Sequence, residues 1–465
     1  MKFQAVKGTR DILPPESALW NRVEQVARDV FASYNFGEIL LPVFEQTELF
    51  ARSIGEATDV VAKEMYTFFE RSGPHDGSEV LSTGSEDAAA AEVAAAEVEV
   101  YQPQLNVPGL RRLEEALVRG LSVSLRPEAT ASVVRAYIEH GMQTLPGDVK
   151  LYYMGPMFRR ERPQKGRYRQ FYQIGAEVLG QSDHPGIDAD VIEMVLVFIE
   201  RCGLVGHTLF INSIGCRDCR PKYVELLRAE LTKVKDRLGP DSQRRIETNP
   251  LRVLDSKLES EQAIIESLPR IGDHLCEACR EHFKMLQAML FMRQIAYEVN
   301  WRLVRGLDYY MRTTFEITAP GLGAQNAICG GGRYDGLVEL LGGPPTKGIG
   351  FALGTDRLIL ALQEAGKGEA ARPLDAYVAW MGASTYAVAV RVARTLRDAG
   401  FSVEMPHEEM KFKKSLGLAG RLGARFAVIL GDNEVAAGTC TVKRMADGTQ
   451  QTIAERELAG HLRTS

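Results

Sequence analysis

The sequence lacks a long apolar run. No window of its 465 residues approaches the roughly 18 unbroken apolar residues that a membrane-spanning helix needs. Its first residues, MKFQAVKGTRDILPPES, lack both the apolar core and the cleavage pattern of a secretory signal peptide. The chain has seven cysteines, and this odd number in a long chain predicts reduced thiols rather than a disulfide framework. We therefore expect a cytoplasmic protein that makes no membrane contact.

An excess of positive charge is also missing, since 56 lysines and arginines face 61 acidic residues. The net charge of −5 does not suggest a general nucleic-acid binder, although such binding depends on local patches. Two basic patches occur: FRRERPQKGRYRQFYQ at 158–173 has six basic residues, and KFKKSLGLAGRLGAR at 411–425 has five. Each could be an ordinary solvated face. The glycine, proline and aromatic residues within the first patch instead favour a binding loop.

A Walker phosphate-binding loop is absent, because the sequence contains no GxxxxGK[ST]. Other features point to a nucleotide and a carboxylate-bearing substrate. The predicted strands VKLYYMGPMFRR and RQFYQIGAEVLG flank a turn whose arginines offer planar forks that match phosphate or carboxylate oxygens. Glycine-rich strands, AICGGGRYDGL and GIGFALGTDR, let a flat ligand lie against the backbone. Each motif alone is weak evidence, since glycine in a strand often marks only a bulge.

In their order along the chain, these motifs closely resemble those of histidyl-tRNA synthetase, a class II aminoacyl-tRNA synthetase. The matching segments are VKGTRDILP, LRPEATASVVRAY, GPMFRRERPQKGRYRQFYQIGAE, RGLDYY, GGGRYDGL, GIGFALGTDR and GARFAVILGDNE. Two of them, RGLDYY and GGGRYDGL, are specific to the histidine enzyme and its close paralogues. The resemblance spans nearly the whole chain apart from one Ala/Glu-rich segment.

The resemblance implies an α+β fold: a class II antiparallel sheet with flanking helices, a helical insertion and a C-terminal α/β anticodon-binding domain. It also implies a homodimer with FGEILLPVFE near the interface. The implied domains are a catalytic domain at 1–70, 121–203 and 301–366, a helical insertion domain at 204–300, and an anticodon-binding domain at 373–465. The Ala/Glu-rich segment 71–120 is expected to be a disordered surface insertion.

The implied reaction has two steps. The carboxylate of histidine attacks the α-phosphate of ATP, which gives histidyl-adenylate and pyrophosphate. The terminal ribose 3′-hydroxyl of the tRNA then takes the histidyl group. Phosphoryl chemistry of this kind needs charge stabilisation and alignment more than covalent help.

The resemblance also implies roles for individual residues. Catalysis would fall to Arg159 at the α-phosphate and to Arg305 opposite it, near the substrate carboxylate. ATP would be held by Arg159, Arg167 and Arg357, with Mg²⁺ bridging the phosphates. The residues implied to bind histidine are Pro127, Glu128, Ala129, Gln173, Glu177, Arg305, Tyr309 and Tyr310.

Some of these residues have a second interpretation. Glu128 could be an ordinary helix-start carboxylate, because the residues after it look helical. Tyr309 and Tyr310 could be strand packing, the commoner fate of paired tyrosines. Two positions depart from the family pattern, with Ala129 in place of glycine and Asp356 in place of glutamate. The shorter acid bears on the details of ATP or metal contact, not on the reaction.

Contacts with tRNA are expected at two places. The loop from Gln164 to Arg169 would approach the acceptor end. The candidate phosphate contacts in the C-terminal domain are Lys411, Lys413, Lys414 and Arg425. Such contacts position the RNA without specifying its sequence.

Four cysteines form two CxxC pairs, Cys216 with Cys219 and Cys276 with Cys279. This pattern is typical of a tetrahedral Zn²⁺ site in a cytosolic protein. The pairs are farther apart than in a compact zinc ribbon, so the fold has to bring them together. The zinc would be structural and take no part in catalysis. The alternatives are four unrelated thiols, or His282 as a substitute ligand.

Two other functions compete with the enzyme. A synthetase-like regulatory subunit of histidine biosynthesis would keep the fold and the histidine pocket without charging tRNA. Such a subunit is expected to lack the basic C-terminal domain, so the presence of this domain, of Arg357 and of the full basic hairpin favours the enzyme. A generic RNA-binding module would leave the glycine-rich strands unexplained. We therefore predict a histidine–tRNA ligase that binds L-histidine, ATP and the histidine tRNA.

Overall fold

The computed structural model describes residues 3–55, 58–70, 80–82, 121–164, 166–304, 307–323, 326–368 and 374–464. The chain divides into two compact units, Met1–Glu369 and Ala370–Ser465. The predicted insertion at 71–120 lies outside the described residues except for 80–82, and so does Arg305. In the part of the chain that is described, no helix is both long and apolar enough to cross a bilayer.

The strands are β1 (Gly37–Glu38), β2 (Phe44–Gln46), β3 (Tyr66–Glu70), β4 (Val80–Ser82), β5 (Leu121–Leu125), β6 (Val149–Phe158), β7 (Gln170–Gly180), β8 (Thr208–Ser213), β9 (Glu298–Val299), β10 (Met311–Thr318), β11 (Ala327–Arg333), β12 (Lys347–Gly354), β13 (Ala376–Trp380), β14 (Val403–Glu404), β15 (Phe426–Leu430), β16 (Thr439–Arg444) and β17 (Gln450–Ala454).

The α-helices are α1 (Glu16–Ser33), α2 (Thr47–Ile54), α3 (Thr130–Glu139), α4 (Pro185–Arg201), α5 (Arg220–Lys233), α6 (Pro240–Thr248), α7 (Glu259–Glu266), α8 (Glu277–Met292), α9 (Leu337–Leu340), α10 (Thr355–Glu364), α11 (Tyr386–Asp398), α12 (Phe412–Arg421), α13 (Asp432–Ala437) and α14 (Leu458–Thr464).

The first unit is built on an eight-stranded sheet with the order β1-β6-β7-β12-β11-β10-β8-β9. Its inner pairs are antiparallel, whereas β1 and β9 join the two edges in parallel. The predicted hairpin is confirmed, because β6 and β7 pair along their whole length and the basic residues lie in the turn between them. β8 and β9 fall within the range 204–300 predicted for the helical insertion, yet both belong to this sheet.

Alternation along the strands gives the sheet two different faces. On one face, Ile174, Ala176 and Val178 of β7 lie in a hydrophobic core that also contains Ile349 and Phe351 of β12. Helices α1, α4, α8 and α10 cover this core. The helix α1 does so with apolar residues at helical spacing, which are Leu19, Trp20, Val23, Ala27, Val30 and Phe31.

The opposite face, which we call the functional face, carries Gln173 and Glu177, two of the residues predicted to bind histidine. Here Val133 and Tyr137 of α3 and Leu337 of α9 form a second, smaller core against Tyr153 and Leu179 of the sheet. This core covers only part of the face, so the neighbouring positions on β7, β11 and β12 are left for a ligand. A four-stranded antiparallel sheet, with the order β2-β5-β3-β4, lies in the same unit.

The second unit is the α/β arrangement expected from its alternating strands and helices. Its sheet has the order β14-β13-β15-β16-β17, with β13 parallel to both β14 and β15. Every residue of β13 and β15 is buried. This is because α11 and α14 cover one face of the sheet and α12 covers the other.

Candidate active site

A cleft of about 320 Å³ opens on the functional face of the large sheet. Its walls include Arg159 at the end of β6, Arg167 in the basic turn and Arg357 in the first turn of α10. The fold therefore brings together the three arginines predicted to bind ATP. Its floor is made of small residues, Gly330 and Ala352 among them, which leave room for a flat ligand.

The arginines of the cleft are held by surrounding groups. The Nη1 atom of Arg167 is 3.1 Å from a carboxylate oxygen of Glu161, and the Nη1 atom of Arg159 is 4.0 Å from the other oxygen. Arg357 donates a hydrogen bond of 2.5 Å to the carbonyl oxygen of Ala327. Burial, and then the charge of Arg167, lower the pKa of Arg357. Cations gathered at one cleft favour a polyanionic ligand such as a triphosphate.

Arg159 is held in place by contacts of both its side chain and its backbone. Its Nε atom donates a 3.0 Å hydrogen bond to the carbonyl oxygen of Pro127, and its guanidinium carbon lies 5.3 Å from the centre of the Phe171 ring. Its own backbone amide donates to the carbonyl of Arg169 at 2.9 Å. The catalytic candidate Arg159, which directly follows β6, is thus bonded to the turn that carries Pro127, Glu128 and Ala129, three of the residues predicted to bind histidine.

Both carboxylate oxygens of Asp356 are hydrogen-bonded to other residues of the protein. One oxygen accepts a hydrogen bond from the backbone amide of Tyr172 at 3.0 Å, and the other accepts from Arg10 at 3.2 Å. Arg10 also pairs with Glu16 at 2.8 Å and lies over the ring of Tyr168 at 5.0 Å. Sequence analysis did not single out Arg10, although it stands in the quoted motif VKGTRDILP.

Glu128 caps the start of α3. Its two carboxylate oxygens accept hydrogen bonds from the backbone amides of Thr130 and Ala131, at 2.7 and 3.0 Å. The side chain is buried, and burial raises the pKa of its carboxyl. The alternative interpretation as a helix-start carboxylate therefore describes a real contact. The two hydrogen bonds of this cap leave further lone pairs on both oxygens, which could bind a cationic group.

Glu177 lies deep on the same face. One oxygen accepts a 2.7 Å hydrogen bond from the hydroxyl of Thr130, and the other accepts a 2.6 Å bond from the hydroxyl of Tyr334. Burial raises the pKa of Glu177 to about 8. The two acidic residues predicted to bind histidine, Glu128 and Glu177, are thus joined through one threonine, and their donors are amides and hydroxyls.

Tyr309 and Tyr310 close this pocket by ring packing. Their ring centres are 4.7 Å apart, and the ring of Tyr309 meets that of Tyr334 edge-on at 5.8 Å. Both the packing role and a role around a ligand are compatible with these contacts.

Among the buried side-chain atoms of the described residues that have no hydrogen-bond partner, two lie on the functional face of the sheet, the Oε1 atom of Gln173 and the hydroxyl of Tyr153. Gln173 was predicted to face the substrate. Tyr153 was missed, although the period-2 alternation of β6 could have placed it on the functional face. Buried polar atoms in proteins are normally hydrogen-bonded, so these two atoms indicate where a polar ligand would bind.

The four cysteines come together in what we call the four-thiol cluster, made of Cys216, Cys219, Cys276 and Cys279. Their Sγ atoms all lie within 4.8 Å of one another. Three of the separations are 3.7, 3.8 and 3.9 Å. A tetrahedron of four sulfurs, each about 2.3 Å from a zinc ion, has edges of about 3.8 Å.

The surroundings of the four-thiol cluster also suit a metal. The amides of Cys216 and Asp218 point at cysteine sulfurs, at 3.3 and 3.4 Å, as expected for donors that stabilise thiolates. The substitute ligand His282 is directed elsewhere, since its Nε2 atom is 3.1 Å from the carbonyl oxygen of Asp183.

The predicted tRNA-contacting residues lie in both units. In the first unit, Gln164 and Arg167 bond to each other's backbone in the basic turn, and the amide of Arg169 donates to the carbonyl of Gly8 at 2.7 Å. In the second unit, the exposed residues at or near the start of α12 are Lys411, Lys413 and Lys414. Arg425 is exposed beside Asp375, at 3.5 Å.

Replacing Gly350 tests the packing of the pocket. A Cβ atom at this position would lie 1.7 Å from a carboxylate oxygen of Glu177 and 2.6 Å from the carbonyl oxygen of Ala176. We expect Gly350→Ala to destabilise the first unit by about 1–3 kcal/mol, as overpacking does, and to lower its unfolding temperature. The control is Gly37→Ala, where the added Cβ would meet nothing within 4 Å. Equal unfolding temperatures for both variants would contradict the close approach.

Replacing Glu177 by glutamine tests its protonation. The folded chain holds this proton up to about pH 8, whereas an unfolded chain releases it near pH 4.3. Between these values the folded state binds more protons, so Glu177 makes stability fall as pH rises. Because glutamine cannot ionise, Glu177→Gln should lose less stability than the wild type between pH 5 and pH 8, measured by thermal unfolding. An unchanged slope would rule out the shifted pKa, and the exposed Glu139→Gln serves as the control.

Comparison with known proteins assigns the chain to a family. The family model described as histidyl-tRNA synthetase matches residues 112–358, and the one described as anticodon binding domain matches residues 375–464. The histidine–tRNA ligase of Koribacter versatilis (strain Ellin345) is 51% identical over 465 residues, which cover 99% of this chain and 96% of the relative. That of Solibacter usitatus (strain Ellin6076) is 49% identical and covers 99% of each chain.

A solved structure agrees. The crystal structure of apo S. aureus histidyl-tRNA synthetase has a TM-score of 0.74 and 34% sequence identity, and covers 99% of this chain and 100% of that one. The predicted fold class and enzyme class are thereby confirmed, and the ligase is favoured over the regulatory subunit because the relatives match along the whole chain, anticodon-binding domain included. The chain belongs to the histidyl-tRNA synthetase family.

Proposed function

We propose that this protein is a histidine–tRNA ligase, which activates L-histidine with ATP and transfers it to the 3′ end of the histidine tRNA. The observation that carries the proposal is the position of Arg159. Its guanidinium lies in the cleft and is bonded to Pro127 of the turn that leads into the buried acidic pocket. An arginine between an anionic nucleotide and an amino-acid pocket is where the first step needs positive charge.

In the first step, a carboxylate oxygen of histidine bonds to the α-phosphorus of ATP, and the bond from that phosphorus to the bridging oxygen breaks. Pyrophosphate leaves with the electron pair. Arg159 would bear on the α-phosphate, and Arg305 would act from the opposite side, near the substrate carboxylate. Both roles are charge stabilisation and alignment.

The outer phosphates would be bound by Arg167 and Arg357, which face the same cleft. Mg²⁺ bound together with ATP would lower the negative charge that the arginines have to neutralise. Carboxylates suit this ion, and the cleft offers those of Glu161 and Glu316.

Histidine would bind in the acidic pocket. Glu128 would take the α-ammonium with the lone pairs that its cap leaves free, beside Pro127 and Ala129. Gln173, with its partnerless Oε1, would bind the substrate near the cleft. Glu177 would serve the imidazole. A pocket with hydrogen-bonding groups for both ring nitrogens rejects amino acids that lack them, because its buried groups would then be unpaired.

Tyr309 and Tyr310 would close over the imidazole, as their packing against Tyr334 supports. The four-thiol cluster would hold a structural Zn²⁺ away from the reacting groups, as its near-tetrahedral sulfur spacing supports.

The remaining partners follow from the same family. The tRNA would contact Gln164 and Arg169 at its acceptor end and the lysines of α12, with Arg425, at its anticodon end. Two copies of the chain would form a homodimer, and the exposed apolar side chains of Leu40 and Phe44, 83% and 60% accessible, support an interface there. The enzyme would work in the cytoplasm, where tRNA is charged.

Pyrophosphate exchange tests the first step. Wild-type protein should catalyse ATP–pyrophosphate exchange that requires histidine and no tRNA. Arg305→Ala and Arg159→Ala should each lower the exchange rate about 10²–10³-fold, since each removes a charge that stabilises the transition state. Arg244→Ala, at an exposed arginine of α6, is the control. Folded wild-type protein without any exchange would overturn the ligase in favour of the regulatory subunit.

Charging of tRNA tests the second step separately. A variant with Lys411→Ala, Lys413→Ala and Lys414→Ala should keep normal exchange but show a raised KM for the histidine tRNA, with a weaker dependence on salt. The exposed Arg456→Ala in the same unit is the matched control. If the triple variant charges tRNA with the wild-type KM, this helix does not contact the RNA.

A further inference from the structure

We propose that the zinc of the four-thiol cluster positions Tyr309 and Tyr310, so that the metal controls the affinity for histidine from outside the reacting groups. This inference rests on the proposed histidine-binding pocket and goes beyond a purely structural role for the ion. Two independent sets of contacts connect the cluster with the chain that carries the two tyrosines.

The first connection runs through Arg220. This residue follows Cys219 directly and begins α5. Its backbone amide donates a 3.0 Å hydrogen bond to the carbonyl of Cys216, and its guanidinium donates to the carbonyl oxygen of Tyr310. The main chain of Arg220 thus belongs to the CxxC turn, while its side chain is hydrogen-bonded to the backbone of Tyr310. A metal that fixes the turn therefore also fixes the position of this hydrogen bond.

The second connection runs through Arg312, two residues after Tyr310. Its φ of 50° lies in the left-handed region, which is unfavourable for a non-glycine residue unless the surroundings hold it. The backbone of Arg312 donates to the carbonyl of Gly215 and accepts from the amide of Ile214, both at 2.8 Å. These two residues come immediately before Cys216, so the CxxC turn supports the strained start of β10.

Gly215 shows how closely the turn and the sulfurs fit. Its φ is 72°, and a Cβ atom there would lie 2.9 Å from the Sγ atom of Cys219. The backbone that holds Arg312 is therefore in direct contact with a zinc ligand. A shift of that ligand would be transmitted to the start of β10.

The tyrosines in turn contact the pocket. The ring of Tyr310 packs on Tyr309, Tyr309 packs on Tyr334, and the hydroxyl of Tyr334 donates to Glu177 at 2.6 Å. None of the residues in this chain of contacts lines the ATP cleft. Removing the zinc should therefore weaken histidine binding and leave ATP binding nearly unchanged.

The test combines metal analysis with substrate affinity. Purified wild-type protein should contain one zinc per chain by elemental analysis, and a Cys216→Ser/Cys279→Ser variant should contain none. Arg220→Met should keep its zinc, since it removes the link and not a ligand. Both variants should show a KM for histidine raised about 10-fold or more in the exchange reaction, with the KM for ATP changed less than about 2-fold.

Controls separate the proposal from general damage. Lys222→Met replaces an exposed cation on the same helix, and Cys440→Ser replaces a buried thiol in the second unit. Both should keep the zinc and the wild-type KM for histidine. If the cysteine variant does not fold, the histidine affinity of the Arg220→Met variant alone tests the proposal.

Three results would overturn the inference: wild-type protein without zinc, an Arg220→Met variant with unchanged affinity for histidine, or equal losses for histidine and ATP. Histidine binding measured by calorimetry gives the same comparison without catalysis. Wild-type protein that binds histidine but catalyses no exchange would overturn the proposed ligase, while the binding constants of the variants would still decide the inference.

Discussion

The functional face of β12 has almost no side chains, and the rest of the site depends on this. The even-numbered positions of the strand are Gly348, Gly350, Ala352 and Gly354. A Cβ atom at Gly348 would lie 2.2 Å from the ring of Tyr334, and one at Gly350 would overlap the Glu177 carboxylate. Because β12 lies between β7 and β11, its neighbours cannot move away without breaking the sheet. Buried polar side chains such as that of Glu177 can lie against the backbone of β12 only because the strand has no large side chains on this face.

The buried carboxyl groups on this face, those of Glu128 and Glu177, differ from the other buried charges of the first unit. Asp188, Arg333 and Asp335 form an ion network, with contacts of 2.8 and 3.0 Å, so each charge there has an opposite partner. Among the described residues, Glu177 and Glu128 instead receive their hydrogen bonds from hydroxyls and amides. Because burial raises the pKa of both carboxyl groups, their charged forms are unfavourable in the empty pocket, and a cationic group bound beside them would stabilise those forms.

Much of this could be read from the sequence, for identifiable reasons. The β6–β7 hairpin, α1 and the alternating strands and helices of the C-terminal unit could be predicted from local spacing alone. This is because the period of the apolar residues shows which face of a strand or helix is buried. The arginines of the cleft were placed by resemblance, and the fold brings Arg159, Arg167 and Arg357 together. The two CxxC pairs could be recognised by spacing, but only the fold brings Cys216 within 3.8 Å of Cys276, 60 residues away.

What could not be read depends on contacts between distant residues. β8 was predicted to belong to the helical insertion because its neighbours in sequence are helices, yet it pairs with β10 in the large sheet. The hydrogen bond from the hydroxyl of Thr130 to Glu177, which joins the two acidic residues, depends on how α3 packs on the sheet, and no local pattern encodes it. Arg10 was passed over because its partner, Asp356, is 346 residues away.

That last contact has a consequence for how the protein is made. A ribosome releases residue 10 long before residue 356, so Arg10 has to wait for α10 to emerge before it can bind Asp356. The cleft that Arg357 helps to line is therefore completed late in translation, and a long nascent chain with unpaired strands precedes it. The C-terminal unit is continuous in sequence and needs no such delay. Truncated products that end before α10 would consequently expose the sheet, and we expect them to be targets for chaperones and proteases rather than partly active enzymes.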